Sequence, residues 1–448
     1  MTVELPLVER FRAGDAIGWR AREPVDVGRF CSAAAALAAA LPRKRHVLNL
    51  CEDRLSFMLG FVAAMIARQV SLLPSSKAPG AVLDLFASHS DVYCLADSAD
   101  VPSSLAAVMV PPFPRSSRAL EVPRFPADRV ALIAYTSGST GRPQPHPQTW
   151  GSLVADARAL GKQLGLTEGR ACSVVGTVPP QHIYGMETTV MLPMQNGMSV
   201  HSGRPLLPGA LAVALADTPG ERWLVSTPTH LRACIAEGVH MPPLGGVLSA
   251  TMPLATNLAL EVERRWSAPV HEIYGCTEGG ALALRRPARG EGWRVRDGMR
   301  LRQAGAEVWV EGGHLAQPLR IPDRVKVLSE TQFKLLGRPE DMAKIAGKRA
   351  SIEALNRELS RVPGVEDGMF FDPGTAPRGE SRLAAVVVAP GVEPEAILRV
   401  LRERIDPAFL PRPLIVADTL PRTATGKVAR ADLLALLEAA QARNRDLA

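Results

Sequence analysis

Six consecutive small residues, Thr136, Ser137, Gly138, Ser139, Thr140 and Gly141, follow the apolar run Val130 to Tyr135. They gather hydroxyls and unhindered backbone N–H groups in one short stretch. Glycines let a backbone curl around an anion, and successive N–H groups form a concave nest for its oxygens. The outer phosphates of a nucleotide suit that chemistry; a flexible surface loop fits the same composition equally well. The P-loop of NTPases is excluded, because Gly-Lys-Ser/Thr is missing. Four other apolar runs also end in polar or turn-forming residues: "SVVGTV" before "PPQH", "RWLVS" before "TPTH", "GGVLS" before "ATMP", and "PVHEIYG" before "CTEGG".

Such loops need a scaffold. From His46 to Asp97 the chain alternates "VLNLC", "RLSFMLGFVAAMIAR", "SLLP", "AVLDLFASH" and "DVYCLA", a β-α-β-α-β pattern that predicts a parallel sheet covered by helices. Ligands of open α/β sheets sit outside the carboxyl ends of the strands, so Ser, Thr, His and Glu on several strand-end loops point to one shared site. A Pro/Ser-rich passage, Val101 to Asp128, crosses the surface before "RVALIAY". Between Ala281 and Leu336 short alternating segments with Gly turns predict antiparallel β structure, closing the first domain. Beyond "LLGRPED" a smaller unit is expected: a helix at 351–361, a strand near "LAAVVVA", a helix at 393–404 and a terminal helix from Ala431.

"YTSGSTGRP" resembles the phosphate loop of the adenylate-forming superfamily, which comprises acyl- and aryl-CoA synthetases, peptide-synthetase adenylation domains and beetle luciferases. Four further motifs follow in the family's order: "PPQHIYG" (179–185), "EIYGCTEGG" (272–280), "GRPEDMAKIAGKRASIE" (337–353) and "LPRTATGK" (420–427). The resemblance implies an α/β fold: a large amino-terminal domain of helix-covered sheets plus a small β-barrel-like part, and a small mobile α+β carboxyl-terminal domain. The expected division is 1–338 and 341–448, with a hinge near Glu340. The implied reaction has two halves. A carboxylate attacks the α-phosphate of ATP to give an acyl-adenylate and pyrophosphate, and a thiol then displaces AMP to give a thioester.

Residue roles follow from the resemblance. Lys427 would bridge the carboxylate and the α-phosphate; it is one of eight lysines in a chain with fifty-two basic residues, and a compact ammonium suits a point contact. Residues 136 to 141 would wrap the phosphates. Glu278 would hold Mg²⁺ through oxygen. Thr277 would meet the α-phosphate, Tyr274 and Gly275 the adenine, and Asp323 and Arg338 the ribose. His182 would stand at the pocket entrance, with Ser249, Ala250, Thr251 and Gly275 lining the pocket. For the second half, rotation about Glu340 would bring Lys344 to the site, with Gly347 beside the pantetheine arm of CoA or of a carrier protein.

The chain also departs from the family. The usual Pro-Lys-Gly and closing His become "PQPHPQTW", with Gln144 and Trp150 at those places. One charge near the phosphates is lost, so weaker ATP binding is expected rather than a dead enzyme. "SGGAPL" becomes "SATMPL" (249–254), which narrows the pocket against long fatty acids. Ile183 stands where amino-acid-activating domains carry an Asp, and an unpaired ammonium there would cost too much. The short length, with "PQPHP" after the loop, resembles the stand-alone ligases of aryl-polyene and xanthomonadin-type pathways. These load hydroxybenzoate-like or short acyl groups onto an acyl carrier protein. An aryl-CoA ligase using free CoA is the alternative. A catalytically degenerate nucleotide- or acyl-adenylate-binding regulator is the reading from another class.

Composition fits these expectations. A chain of 448 residues at net charge +7 suits two domains and anionic partners. The basic stretch 42–46 reads as a solvated turn, and no Lys/Arg block with interleaved aromatics points to nucleic acid. The six cysteines lack metal or redox spacing and predict buried thiols. The first residues lack a signal-peptide run, and Leu55 to Ala67 falls short of the ~20 residues a membrane span needs. A cytoplasmic enzyme is expected.

Overall fold

In a computed structural model of the chain, residues 3–12, 14–74, 79–98, 101, 105, 107–114, 121–137, 143–166, 171–337, 342–345, 348–374, 382–422 and 428–446 are described. The β-α-β-α-β stretch forms as predicted. The strands His46–Asn49, Val70–Leu73 and Val92–Ala96 pair in parallel, and Val130–Ser137 joins them beside Val70–Leu73. The helix Arg54–Ile66 is buried on nearly every side, which is why its sequence shows no polar face. Asp53 starts it by accepting the Ser56 N–H at 2.9 Å.

The predicted loop after Tyr135 begins later than expected. The strand continues through Thr136 and Ser137, which face Gln144 and Pro143 of an antiparallel strand, Pro143–Thr149. Prolines at 143, 145 and 147 do not break this strand, because it lies at the sheet's edge. Their period of two places every missing N–H on one side, leaving the residues between them to pair.

A second sheet of eleven strands carries the motifs at 179–185 and 272–280. Its centre is parallel: Met198–His201, Cys172–Gly176, Glu221–Ser226, Leu244–Ser249 and Val270–Cys276. Past Val270–Cys276 the sheet turns antiparallel through Gly280–Arg285, Gly292–Val295, Gln332–Gly337 and Arg324–Ser329. A three-stranded sheet, Met299–Ala304 with Glu307–Gly312 and Leu319–Arg320, packs there, with Leu301 and Val310 in one apolar cluster with Trp293 and Phe333. This is the antiparallel region expected between 281 and 336.

The carboxyl-terminal part has its own sheet, Asp367–Phe371, Ala384–Val388 and Leu414–Val416, and its own apolar core. The helices Ile352–Leu359 and Pro394–Arg404 lie within two residues of their expected bounds, and Arg430–Asp446 starts one residue before the expected Ala431. Five of the six thiols are buried and Cys276 is half-buried, none in a disulfide. Among the described residues no helix is long and apolar enough to cross a membrane.

Candidate functional site

Adjacent parallel strands end together: Gly176 lies beside Val225, Ser226 beside Ser249, and Ser249 beside Glu272. The segments 177–185, 227–230, 249–254 and 274–280 therefore start from one edge of the sheet, where strand-end chemistry collects.

The turn 276–280 is built from the sheet and supported from below. Gly275 is required there, because a Cβ would come within 2.2 Å of the Gly280 carbonyl oxygen. The Tyr274 ring packs edge-on against Trp293 and Phe333, at 5.6 and 5.8 Å between centroids. Its hydroxyl donates to the Asp323 carboxylate. Two residues assigned to adenine and ribose by resemblance are thus in contact. Glu278 points outward with 42% of its side chain exposed, and His146 Nε2 lies 3.8 Å from its Oε1. Gln148 Nε2 donates to the Glu278 carbonyl at 3.1 Å. Both come from the proline-rich edge strand, which joins the phosphate-loop hairpin to the Glu278 turn. Sequence reasoning missed His146; its place between prolines of an unassigned segment gave no signal. An exposed carboxylate without a dense ligand cluster fits Mg²⁺, which binds through one or two carboxylates plus substrate phosphates and keeps its water.

Beneath this turn lies a buried charged group that sequence reading did not reveal. Arg296 Nη2 meets Asp156 Oδ1 at 2.8 Å, with the two side chains 0% and 4% exposed. Arg296 Nη1 donates to Gln163 Oε1 at 2.9 Å. His314 Nε2 lies 2.7 Å from the Gly279 carbonyl oxygen, and its Nδ1 3.5 Å from Asp156 Oδ1. Glu187, also buried, accepts from the Ala281 N–H; burial, then repulsion from Asp156, pushes its carboxyl well above the usual range.

His182 caps the short helix Ile183–Met186, its Nδ1 accepting the Tyr184 N–H at 3.2 Å. A neutral ring in that arrangement carries its proton on Nε2. Gly185 closes the loop tightly, since a Cβ would lie 2.0 Å from the Pro179 carbonyl oxygen. Gln181 Nε2 donates to the Cys51 carbonyl. Arg54, fully buried, donates to the carbonyls of Gly176 at 2.9 Å and Val178 at 3.1 Å. Burial, then repulsion from Arg204, lowers its guanidinium to about 9. On the neighbouring strand end Ser249 is buried, and its hydroxyl has no hydrogen-bond partner among the described residues. Ala250 is 6% exposed, and Thr251 adopts φ 76°, a left-handed conformation unusual for a β-branched residue. Ile183 is buried in the apolar core. Trp150 is buried too, edge-on to Phe125, so it packs rather than lines a site.

Thr277 is half-buried within the turn. Thr136 and Ser137 are placed by backbone pairing with the edge strand. Lys344 lies in the hairpin Met342–Ile345 with Lys348–Ser351, opposite Arg349. Gly138, Ser139, Thr140, Gly141, Arg338, Glu340, Gly347 and Lys427 lie outside the described residues. The segment bearing Lys427 is bracketed by an antiparallel bridge between Arg422 and Val428.

A family model described as AMP-binding enzyme matches residues 29–308. A 4-coumarate–CoA ligase of Rhodobacter capsulatus is 30% identical over 309 residues, 67% of this chain and 75% of that protein. A probable 2-succinylbenzoate–CoA ligase of Mycobacterium tuberculosis is 27% identical over 339 residues, covering 68% and 84%. The o-succinylbenzoate CoA synthetase of Bacillus subtilis, solved with its acyl-adenylate intermediate, superposes with a TM-score of 0.79 at 19% identity, over 96% of this chain and 98% of that one. The same enzyme has been solved with ATP and magnesium, covering 96% of this chain and 99% of that one at 18% identity and a TM-score of 0.79. The matched span runs from the first helix through the paired strands Val130–Ser137 and Pro143–Thr149 and past the turn holding Glu278, and the chain belongs to the AMP-binding enzyme family.

Proposed function

We propose that this AMP-forming acid–thiol ligase activates a hydroxybenzoate-like or short acyl carboxylate and passes it to a phosphopantetheine thiol on an acyl carrier protein. The observation that carries the reading is the contact of Tyr274 with Asp323 beside the exposed Glu278, on the sheet edge where His182 and Ser249 also lie. That group suits a nucleotide on one side and a carboxylate on the other.

In the first half a carboxylate oxygen bonds to the α-phosphorus of ATP, and the bond to the β-phosphate oxygen breaks, releasing pyrophosphate. Two anions must meet, so electrostatic stabilisation and positioning dominate. Lys427 supplies the cation between them, and the His182 Nε2–H donates toward the carboxylate. The backbone of 136–141 and the Thr277 hydroxyl hold phosphate oxygens, while Tyr274, Gly275, Asp323 and Arg338 hold the nucleoside. Glu278 would hold Mg²⁺, which would supply charge neutralisation at the phosphates. In the second half the thiol sulfur bonds to the acyl carbon and AMP leaves with the C–O bonding pair. Rotation of 341–448 about Glu340 exchanges Lys427 for Lys344 and Gly347, excluding water and then admitting the thiol. Ala250 and the Thr251 side chain narrow the pocket toward compact acids.

Net charge +7 supports an acidic carrier as acceptor. The names of the relatives support free CoA, and saturable thioester formation with CoA alone would remove the carrier from the reading. The primary test is carboxylate-dependent ATP–pyrophosphate exchange across hydroxybenzoates, cinnamates and fatty acids. Exchange with an aromatic acid, lost in Lys427→Ala, is the expected result. Nucleotide binding without exchange for any acid would replace the ligase with a degenerate binder.

A further inference from the structure

Asp367 stands between two guanidinium groups from different parts of the chain. Arg422 grips it with two bonds, Nε to Oδ2 at 3.0 Å and Nη2 to Oδ1 at 2.8 Å. Arg232 Nη1 lies 3.5 Å from the same Oδ2. Arg422 and Asp367 both belong to the carboxyl-terminal part and move together. Arg232 belongs to the helix Pro228–Ala236, which springs from the strand end beside Ser249. A second contact crosses at the same place. Arg422 Nη1 lies 3.8 Å from Met252 Sδ, which also accepts the Thr229 hydroxyl at 3.6 Å. Met252 follows Thr251, and Arg422, which bridges to Val428, precedes Lys427 by five residues.

We propose that Arg232 is a positioning residue for the adenylation half-reaction: by pairing with Asp367 it holds Arg422, five residues before Lys427 in the chain, against Met252 at the pocket edge. The proposal rests on the two-step reading above. The pair within the carboxyl-terminal part is short, bidentate and 14% and 17% exposed, whereas Arg232 is 33% exposed and makes one longer contact. Geometry of that kind separates a permanent brace from a releasable one. Asp367 keeps its grip on Arg422 throughout, whereas the crossing contacts to Arg232 and Met252 break before the thiol step. A partly exposed pair biases a two-state equilibrium by about two- to fivefold, enough to favour one orientation without trapping it.

The test separates the half-reactions in the full-length protein. Arg232→Gln is expected to lower the exchange kcat about two- to fivefold with KM for ATP and acid unchanged. Thioester formation from supplied acyl-adenylate should be unchanged or faster, and Arg232→Lys should recover exchange. An equal fall in both half-reactions, or no change in exchange, would overturn the proposal. Orientation is read separately by electron–electron distance measurement between spin labels at Leu260→Cys and Arg399→Cys, both exposed. Arg232→Gln should broaden the distance distribution; an unchanged distribution overturns the proposal even if the wild type catalyses no exchange. Absence of exchange in the wild type would defeat the ligase reading alone.

Discussion

Gln144 pairs with Thr136 across the two strands and its side chain is exposed. Gln144→Lys adds a cation there and should lower the KM for ATP several-fold, about 1 kcal/mol at a screened site. An unchanged KM in steady-state exchange would place the side chain away from the phosphates. Thr251 is a different departure. Its φ of 76° is the backbone a glycine would adopt freely. The substitution thus kept the glycine-like turn and accepted strain of about 1–3 kcal/mol, which residues at functional sites tolerate. Thr251→Gly relieves that strain and loses about 0.5–1 kcal/mol to chain entropy. The expected net is stabilisation by about 1 kcal/mol, a small rise in Tm, together with acceptance of bulkier acids. A fall in Tm would show that the Thr251 side chain contributes more by its contacts than the backbone costs.

The 276–280 turn shows how elements hold a site. Its upper surface is polar and exposed at Glu278, while its underside rests on Arg296, Asp156, Glu187 and His314. These residues come from the helix Trp150–Gln163, the π-helical segment Glu187–Met191 and the antiparallel region, and no sequence spacing links them. Arg296→Met removes the cation and leaves two buried carboxyls facing each other. Breaking a buried pair in this way costs about 3–5 kcal/mol. Thermal unfolding should report a clear drop in Tm, and the KM for ATP should rise as the turn loosens. A Tm within a degree of the wild type would mean that the acids are neutral and the guanidinium is dispensable.

Over the whole molecule half-buried histidines contribute to the acid response. His271 is pushed down to about 4, first by burial and then by Arg286; burial also lowers His46, His201 and His230. A folded pKa below the unfolded value means that the unfolded chain binds more protons between the two. His271 therefore contributes stability in full above the unfolded value near 6.5, and that contribution is lost as pH falls through about 4. Its share is about 3 kcal/mol across that window. Tm should fall as pH drops from 6.5 toward 4, and His271→Gln should show a shallower slope. Equal slopes would mean that His271 is protonated in the folded protein or that its burial is relieved on protonation.

Local pattern determined much of this protein. Period-two and helical alternation set the β-α-β-α-β core, because a sheet covered by helices must bury nearly every residue of its central strands. Tyr274, Glu278, Asp323 and His182 were singled out by the resemblance of their motifs to the adenylate-forming superfamily, not by local periodicity; each sits at a strand end or beside a turn. Tertiary structure alone decided the rest. The strand 143–149 is hidden by prolines that only an edge permits. The meeting of Tyr274 with Asp323 joins residues forty-nine apart. Asp156 and Arg296 are 140 apart, and Arg232 meets Asp367 across the boundary between two sheets. Sequence spacing reports neighbours within one element; charges that meet through the packing of separate elements leave no periodic trace.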